Sequence, residues 1–90
     1  MSGSIQQLAE TKEYRLYGRD NCLAMVHFTQ SGDSSIGSSG LMTDHGIAYL
    51  MWRDGRPLLV SKGIEVPAME EQVAILREFS ADLKALLTAL

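Results

Sequence analysis

The chain has 90 residues, 46% of them hydrophobic and 21% charged, with a net charge of −3. That composition excludes a disordered chain, and a single domain this short buries only about 60–65% of its unfolded surface, so a partner surface adds materially to its stability. The mild acidity argues against a generic phosphate-binding surface, because sequence-independent affinity for nucleic acid comes from Lys and Arg displacing counterions.

Cys22 is the only cysteine, so no intramolecular disulfide can form, which fits a reducing compartment. The stretch from Met1 to Gln7 has neither the basic start nor the apolar core of a secretory signal. No apolar run approaches the roughly 20 residues that a membrane helix needs. These features predict a cytoplasmic protein without a membrane partner. Residues 1–11 are expected to form a flexible or short helical leader, with Ile5, Leu8 and Ala9 at helical spacing. Residues 12–90 are expected to form one α+β domain.

Tyr14 to Tyr17 alternates aromatic and polar residues like a short strand, and Gly18-Arg19-Asp20-Asn21 reads as a turn. From Cys22 to Thr29 the pattern is that of a central strand, with Cys22, Ala24, Val26 and Phe28 on one face and Leu23, Met25 and His27 on the other. Gln30 to Gly40 holds five serines, three glycines and one large apolar residue, Ile36, and predicts a long flexible loop. Gly40 to Thr43 is expected to be extended, and Asp44-His45-Gly46 to turn.

Two apolar runs, Ile47–Arg53 and Arg56–Lys62, flank Asp54-Gly55. Asp-Gly in that setting predicts a two-residue type I′ turn, whose twist matches that of the flanking strands. The turn sets a register pairing Arg53 with Arg56, Trp52 with Pro57, Met51 with Leu58, Leu50 with Leu59 and Tyr49 with Val60. Pro57 then falls in a pair without ladder hydrogen bonds, a position suited to the start of an edge strand.

Pro67 marks the expected first turn of a helix running to about Ala89. Glu70 and Glu71 suit the positive end of its dipole. Met69, Val73, Leu76, Phe79, Leu83, Leu86, Leu87 and Leu90 recur at spacings of three and four and form a continuous apolar stripe. The predicted architecture is an antiparallel β-meander of four to five strands with one long C-terminal amphipathic helix packed on one face.

One helix covers only one face of a sheet, yet the hairpin is apolar on both. Ile47, Tyr49, Met51, Leu58 and Val60 lie on one side, and Ala48, Leu50, Trp52, Pro57 and Leu59 on the other. An antiparallel sheet with one face in water normally alternates between apolar and polar residues. The leader is too small to cover the second face, so a second copy of the chain, or a dimer-like pairing with a relative, is expected there. Tyr49, Met51, Leu58, Val60, Leu23 and Met25 are the candidate dimer-interface residues.

Residues with chemical potential are few. Gly32 to Ser39 has the glycine spacing of a phosphate loop, but Ser38 stands where the lysine belongs and no helix follows, so it reads as a serine- and glycine-rich loop. The same stretch lacks the glycine that would complete a nucleophile elbow. His27, His45, Cys22, Asp33 and Asp44 match no metal-ligand spacing; His27 reads as a packed strand residue, His45 as a turn residue and Cys22 as a small hydrophobe. No catalytic set, metal site or cofactor is expected.

Arg53, Arg56 and Lys62 can share a face of the hairpin near Tyr49 and Trp52, whose rings stack on bases. The bland role of the same charges is to flank a turn and guard an edge strand. Lys62-Gly63-Ile64, ending a strand and leading to a helix that carries Glu71-Gln72, Leu76 and Asp82, resembles the end of the PC4-like transcriptional coactivators. The resemblance implies a strand-rich dimer with a C-terminal helix that binds single-stranded DNA. Three readings stand in order: a non-catalytic interaction or regulatory module acting as a homodimer, a single-stranded nucleic-acid binder using Arg53, Arg56, Lys62 and Trp52, and a small-molecule binder with the 30–40 loop as lid.

Overall fold

The computed structural model describes residues 4–89, so Leu90, the last position of the expected stripe, lies outside the described residues, as do positions 1–3 of the expected leader. Seven strands form one antiparallel sheet in chain order: β1 Gln6–Glu10, β2 Tyr14–Arg19, β3 Cys22–Phe28, β4 Ser34–Thr43, β5 Gly46–Arg53, β6 Arg56–Ser61 and β7 Ile64–Pro67. One helix, α1, spans Glu70–Thr88 and lies across one face. The class is α+β, with seven strands in place of the expected four to five.

Two added strands, β1 and β7, and the extension of β4 back to Ser34 correct three segments. Residues 6–10 of the expected helical leader form β1, paired antiparallel with β2 through a bulge at Leu8. Five residues gain little as an isolated helix, whereas extension lets their backbone complete a ladder. Most of the expected 30–40 loop is β4, and only the tight turn before it is irregular, closed by Thr29 N–H bonded to the Asp33 carbonyl at 2.9 Å. The segment after Gly63 forms β7, joined to β6 by a turn in which Lys62 and Gly63 both have positive φ, 51° and 79°.

The central hairpin has the register that Asp54-Gly55 dictates, from Arg53 opposite Arg56 to Tyr49 opposite Val60. Asp54 and Gly55 have φ of 51° and 76°, the left-handed pair of a type I′ turn. Pro57 is not on an edge, because β7 pairs beyond it. It is tolerated because β7 reaches only to Pro67 opposite Leu58, so Pro57 sits where that ladder ends. Its carbonyl still accepts the Ala68 N–H at 3.0 Å.

The helix starts at Glu70, three residues after Pro67, which closes β7 instead. Met69 holds the N-cap position with extended backbone, and its N–H donates to Gln72 Oε1 at 2.8 Å. At the other end Thr88 Oγ1 donates to the Lys84 carbonyl. Nineteen residues give a length of about 28 Å, enough to run the full length of the strands beneath.

Val73, Leu76, Phe79 and Leu83 are the buried face of α1. Leu76, Phe79 and Leu83 press onto Tyr17, Cys22, Ala24, Val26, Ala48 and Leu59, which together make the core. Small residues on β3 and β5, Ala24 and Ala48, let the helix approach closely. Arginines close the margins of this core: Arg15 lies 4.3 Å over Phe28, and Arg19 lies 5.7 Å over Phe79 while bonding Asp82 at 2.8 Å. Arg77 sits 5.4 Å over Trp52 on the opposite flank. No helix among the described residues is long and apolar enough to cross a membrane.

β4 joins β5 through only four residue pairs, Gly40 to Thr43 against Gly46 to Tyr49. Beyond them, the first half of β4 pairs with β3 alone and the second half of β5 with β6 alone. The meander thus divides into two parts along this line.

Candidate interaction surface

Cross-strand partners stand on the same side of a sheet, so the registers sort every strand residue by face. The row Gly18, Leu23, Gly40, Tyr49, Val60 runs across five strands on the side away from α1. Two residues along, Leu16 pairs with Met25, and Met51 with Leu58, on that same side. The structure therefore places Leu23, Met25, Tyr49, Met51, Leu58 and Val60 together, all on the helix-free face. Leu8, Tyr14, Leu16, Met42 and Ile47 extend it. Ile47 belongs to this face by its parity with Tyr49, and Met42 joins it as the cross-strand partner of Ile47.

This face is open. Met25, Tyr49 and Met51 keep 39, 46 and 45% of their surface exposed, whereas Phe79 and Val26 on the helix side have none. β1 does not fold over it; it extends the sheet sideways, and all five of its residues are exposed. Leu23 is nearly buried only because neighbours on the same face lean over it, with Leu8 filling the space above Gly18. A shallow groove of about 220 Å³ runs between Ala9, Tyr14, Leu16 and Met25. Polar groups stand towards the margin: His27 rests against Tyr14 with ring centres 4.9 Å apart, and Arg53 binds Glu65 through both oxygens, Nη2 to Oε1 at 2.6 Å.

The basic patch does not assemble. Arg53 and Arg56 flank the turn at one end of the hairpin, and Lys62 lies in the turn at the other end of β6. A six-residue strand separates them, roughly 17–20 Å. Arg53 is neutralised by Glu65 from β7, and Trp52 points to the helix side, where it meets Arg77. The physical reason is the period of two along a strand, which puts Trp52 and Arg53 on opposite faces.

Cys22, His27, His45, Asp33 and Asp44 are likewise dispersed, and among the described residues no three His, Cys, Asp or Glu side chains converge as a metal site. Cys22 belongs to the core. A cleft of about 450 Å³ lies alongside it between the first half of α1 and the rim of the sheet, lined by Arg19, Asp20, Asn21, Leu41, Met42, Ile75 and Glu78 among others. Burial pushes the Cys22 thiol above its ordinary range, an effect that nearby Arg19 partly offsets. The unfolded chain loses this proton first, so the thiol's contribution to stability is full below the ordinary thiol value of 9.0 and fades as pH rises past it. Iodoacetamide at neutral pH is expected to label Cys22 far more slowly in the native protein than in urea; equal rates would contradict its placement in the core.

No known protein family, curated protein or solved structure matches the chain.

Proposed function

We propose that the protein is a small non-catalytic interaction or regulatory module that works as a homodimer, joined through the sheet face opposite α1. One observation carries this reading: large apolar side chains, Tyr49, Met51 and Met25 among them, stand half-exposed on the helix-free face, and no described residue covers them. Seven strands at about 4.8 Å spacing and some five residues of strand give a projected area of roughly 500 Å². Side-chain relief raises the accessible area above the projection, towards the ~600–800 Å² per partner found in specific interfaces.

A second copy fits for two reasons. It brings a sheet of the same dimensions and twist, and two such sheets pack face to face about 10 Å apart with strands nearly aligned. A two-fold arrangement also removes both exposed faces at once, which a heterologous contact does not. Of the charges near the patch, Arg53 is satisfied by Glu65 within its own protomer, and Arg56 stands opposite Arg53 at the turn end of the hairpin.

Sedimentation equilibrium at micromolar concentration tests the reading and is expected to give a dimer. Met51→Glu is expected to raise the dissociation constant by about a hundredfold or more, because an unpaired carboxylate in an apolar interface costs on the order of 3 kcal/mol. Its circular dichroism should remain that of the wild type, since Met51 takes no part in the core. A wild-type monomer under these conditions removes the proposal.

A further inference from the structure

Among the described residues, the uncovered face contains three thioethers. Met25, Met42 and Met51 lie on three successive strands, β3, β4 and β5, each 39–47% exposed; all three share the parity of the helix-free face, and Met42, at the rim of the sheet, also borders the cleft beside α1. The chain has five methionines; Met69, exposed at the N-cap of α1, stands apart from this group. Methionine sulfur is polarizable and packs well across a loosely specified apolar surface, and it is also the atom in such a surface that oxidants attack.

We infer that self-association through this face is oxidation-sensitive, with Met25, Met42 and Met51 as the responding residues; the inference rests on the homodimer reading above. In each step the sulfur lone pair attacks one oxygen of hydrogen peroxide. A sulfur–oxygen bond forms as the peroxide O–O bond breaks, the proton on the transferred oxygen passes to the departing hydroxide, the thioether is oxidised by two electrons to the sulfoxide, and the peroxide is reduced to water. The product is a strongly polar, chiral group where an apolar one stood. Three of them across one face replace much of its apolar character with acceptors that have no donors opposite. No buried core residue is touched, so the protomer keeps its fold while losing its partner. Association in turn shields the sulfurs, so oxidation slows as protein concentration rises.

The experiment treats the dimer with hydrogen peroxide, maps sulfoxides by peptide mass spectrometry and measures the dissociation constant by sedimentation, with circular dichroism as the check on folding. Oxidation at the three sites is expected to raise the dissociation constant at least about tenfold with the helix signal unchanged. The triple variant Met25→Leu, Met42→Leu, Met51→Leu keeps the apolar volume and is expected to stay dimeric under peroxide. Met69→Leu is expected to remain as sensitive as the wild type. A dimer whose three methionines are fully oxidised yet binds as before overturns the inference alone. So does a loss of helix signal that parallels dissociation, or a triple variant that dissociates under peroxide. A protein that is monomeric before any peroxide is added defeats the homodimer reading and the switch with it.

Discussion

Phe79→Ala is expected to destabilise the protomer by about 3–5 kcal/mol, the range for emptying a fully enclosed phenylalanine site. Phe79 has no exposed surface and stands at the centre of the helix–sheet contact, between Leu76 and Leu83 on its own element and Tyr17, Ala24 and Val26 below. A chain of this length holds in total about 5–13 kcal/mol of stability, so the loss is a large fraction of the whole. The surroundings cannot close the gap cheaply, because the strands beneath are fixed by ladders on both sides and Arg19 is held over the ring by Asp82. Urea unfolding followed by circular dichroism measures it, and Phe79→Leu is expected to cost less than half as much. A midpoint for Phe79→Ala close to that of the wild type would mean that α1 does not pack as described.

The second large effect is expected at a residue with no side chain. A Cβ placed on Gly40 would penetrate the Ala48 carbonyl oxygen and lie 3.1 Å from Tyr49 Cα, and all these atoms are backbone. Backbone in a paired ladder has no rotamer to move to, so Gly40→Ala must push β4 and β5 apart where four residue pairs hold them. Overpacking of this kind costs about 2–3 kcal/mol or more, a fall in Tm on the order of 10–20 °C for a domain of this size. Gly37→Ala is the matched control, since a Cβ there would meet only the Met25 carbonyl oxygen at an ordinary 3.5 Å. Equal melting temperatures for the two variants would contradict the close approach of β4 to β5.

What the sequence makes legible follows from where local chemistry agrees with tertiary structure. Asp54-Gly55 forces one turn type, and through it a whole register, so the hairpin can be written down pair by pair. The stripe on α1 is legible because its period belongs to the helix alone, and the two-faced apolar character of the hairpin is legible because a strand alternates strictly. β4 is hidden by composition. Its serines and glycines look like a loop, yet small residues are what a strand needs where Gly40 touches β5 and a helix crosses above. β1 is hidden for a different reason: five exposed residues on an edge have no burial pattern, and only the neighbouring ladder makes them extended. β7 does carry a signal in Lys62-Gly63 between two apolar runs, the same two-residue device as Asp54-Gly55 with lysine in the first left-handed position.

The candidate site divides in the same way. Its six apolar residues belong together by parity along each strand, and parity survives small errors in strand ends. The four residues of the basic patch required distance as well as parity, and a hairpin sends its two ends in opposite directions. Nearness in the chain from Arg53 to Lys62 therefore says little about nearness in space.

The short seam between β4 and β5 divides the helix-free face between two parts of the sheet. Four residue pairs join β5–β7, as a flap, to the slab formed by β1–β4 and α1, with Ala48 and Leu59 in the core on the helix side. Leu23 and Met25 belong to the slab, and Tyr49, Met51, Leu58 and Val60 to the flap. A second sheet laid over both would act as a splint, so each protomer would be stiffer in company than alone.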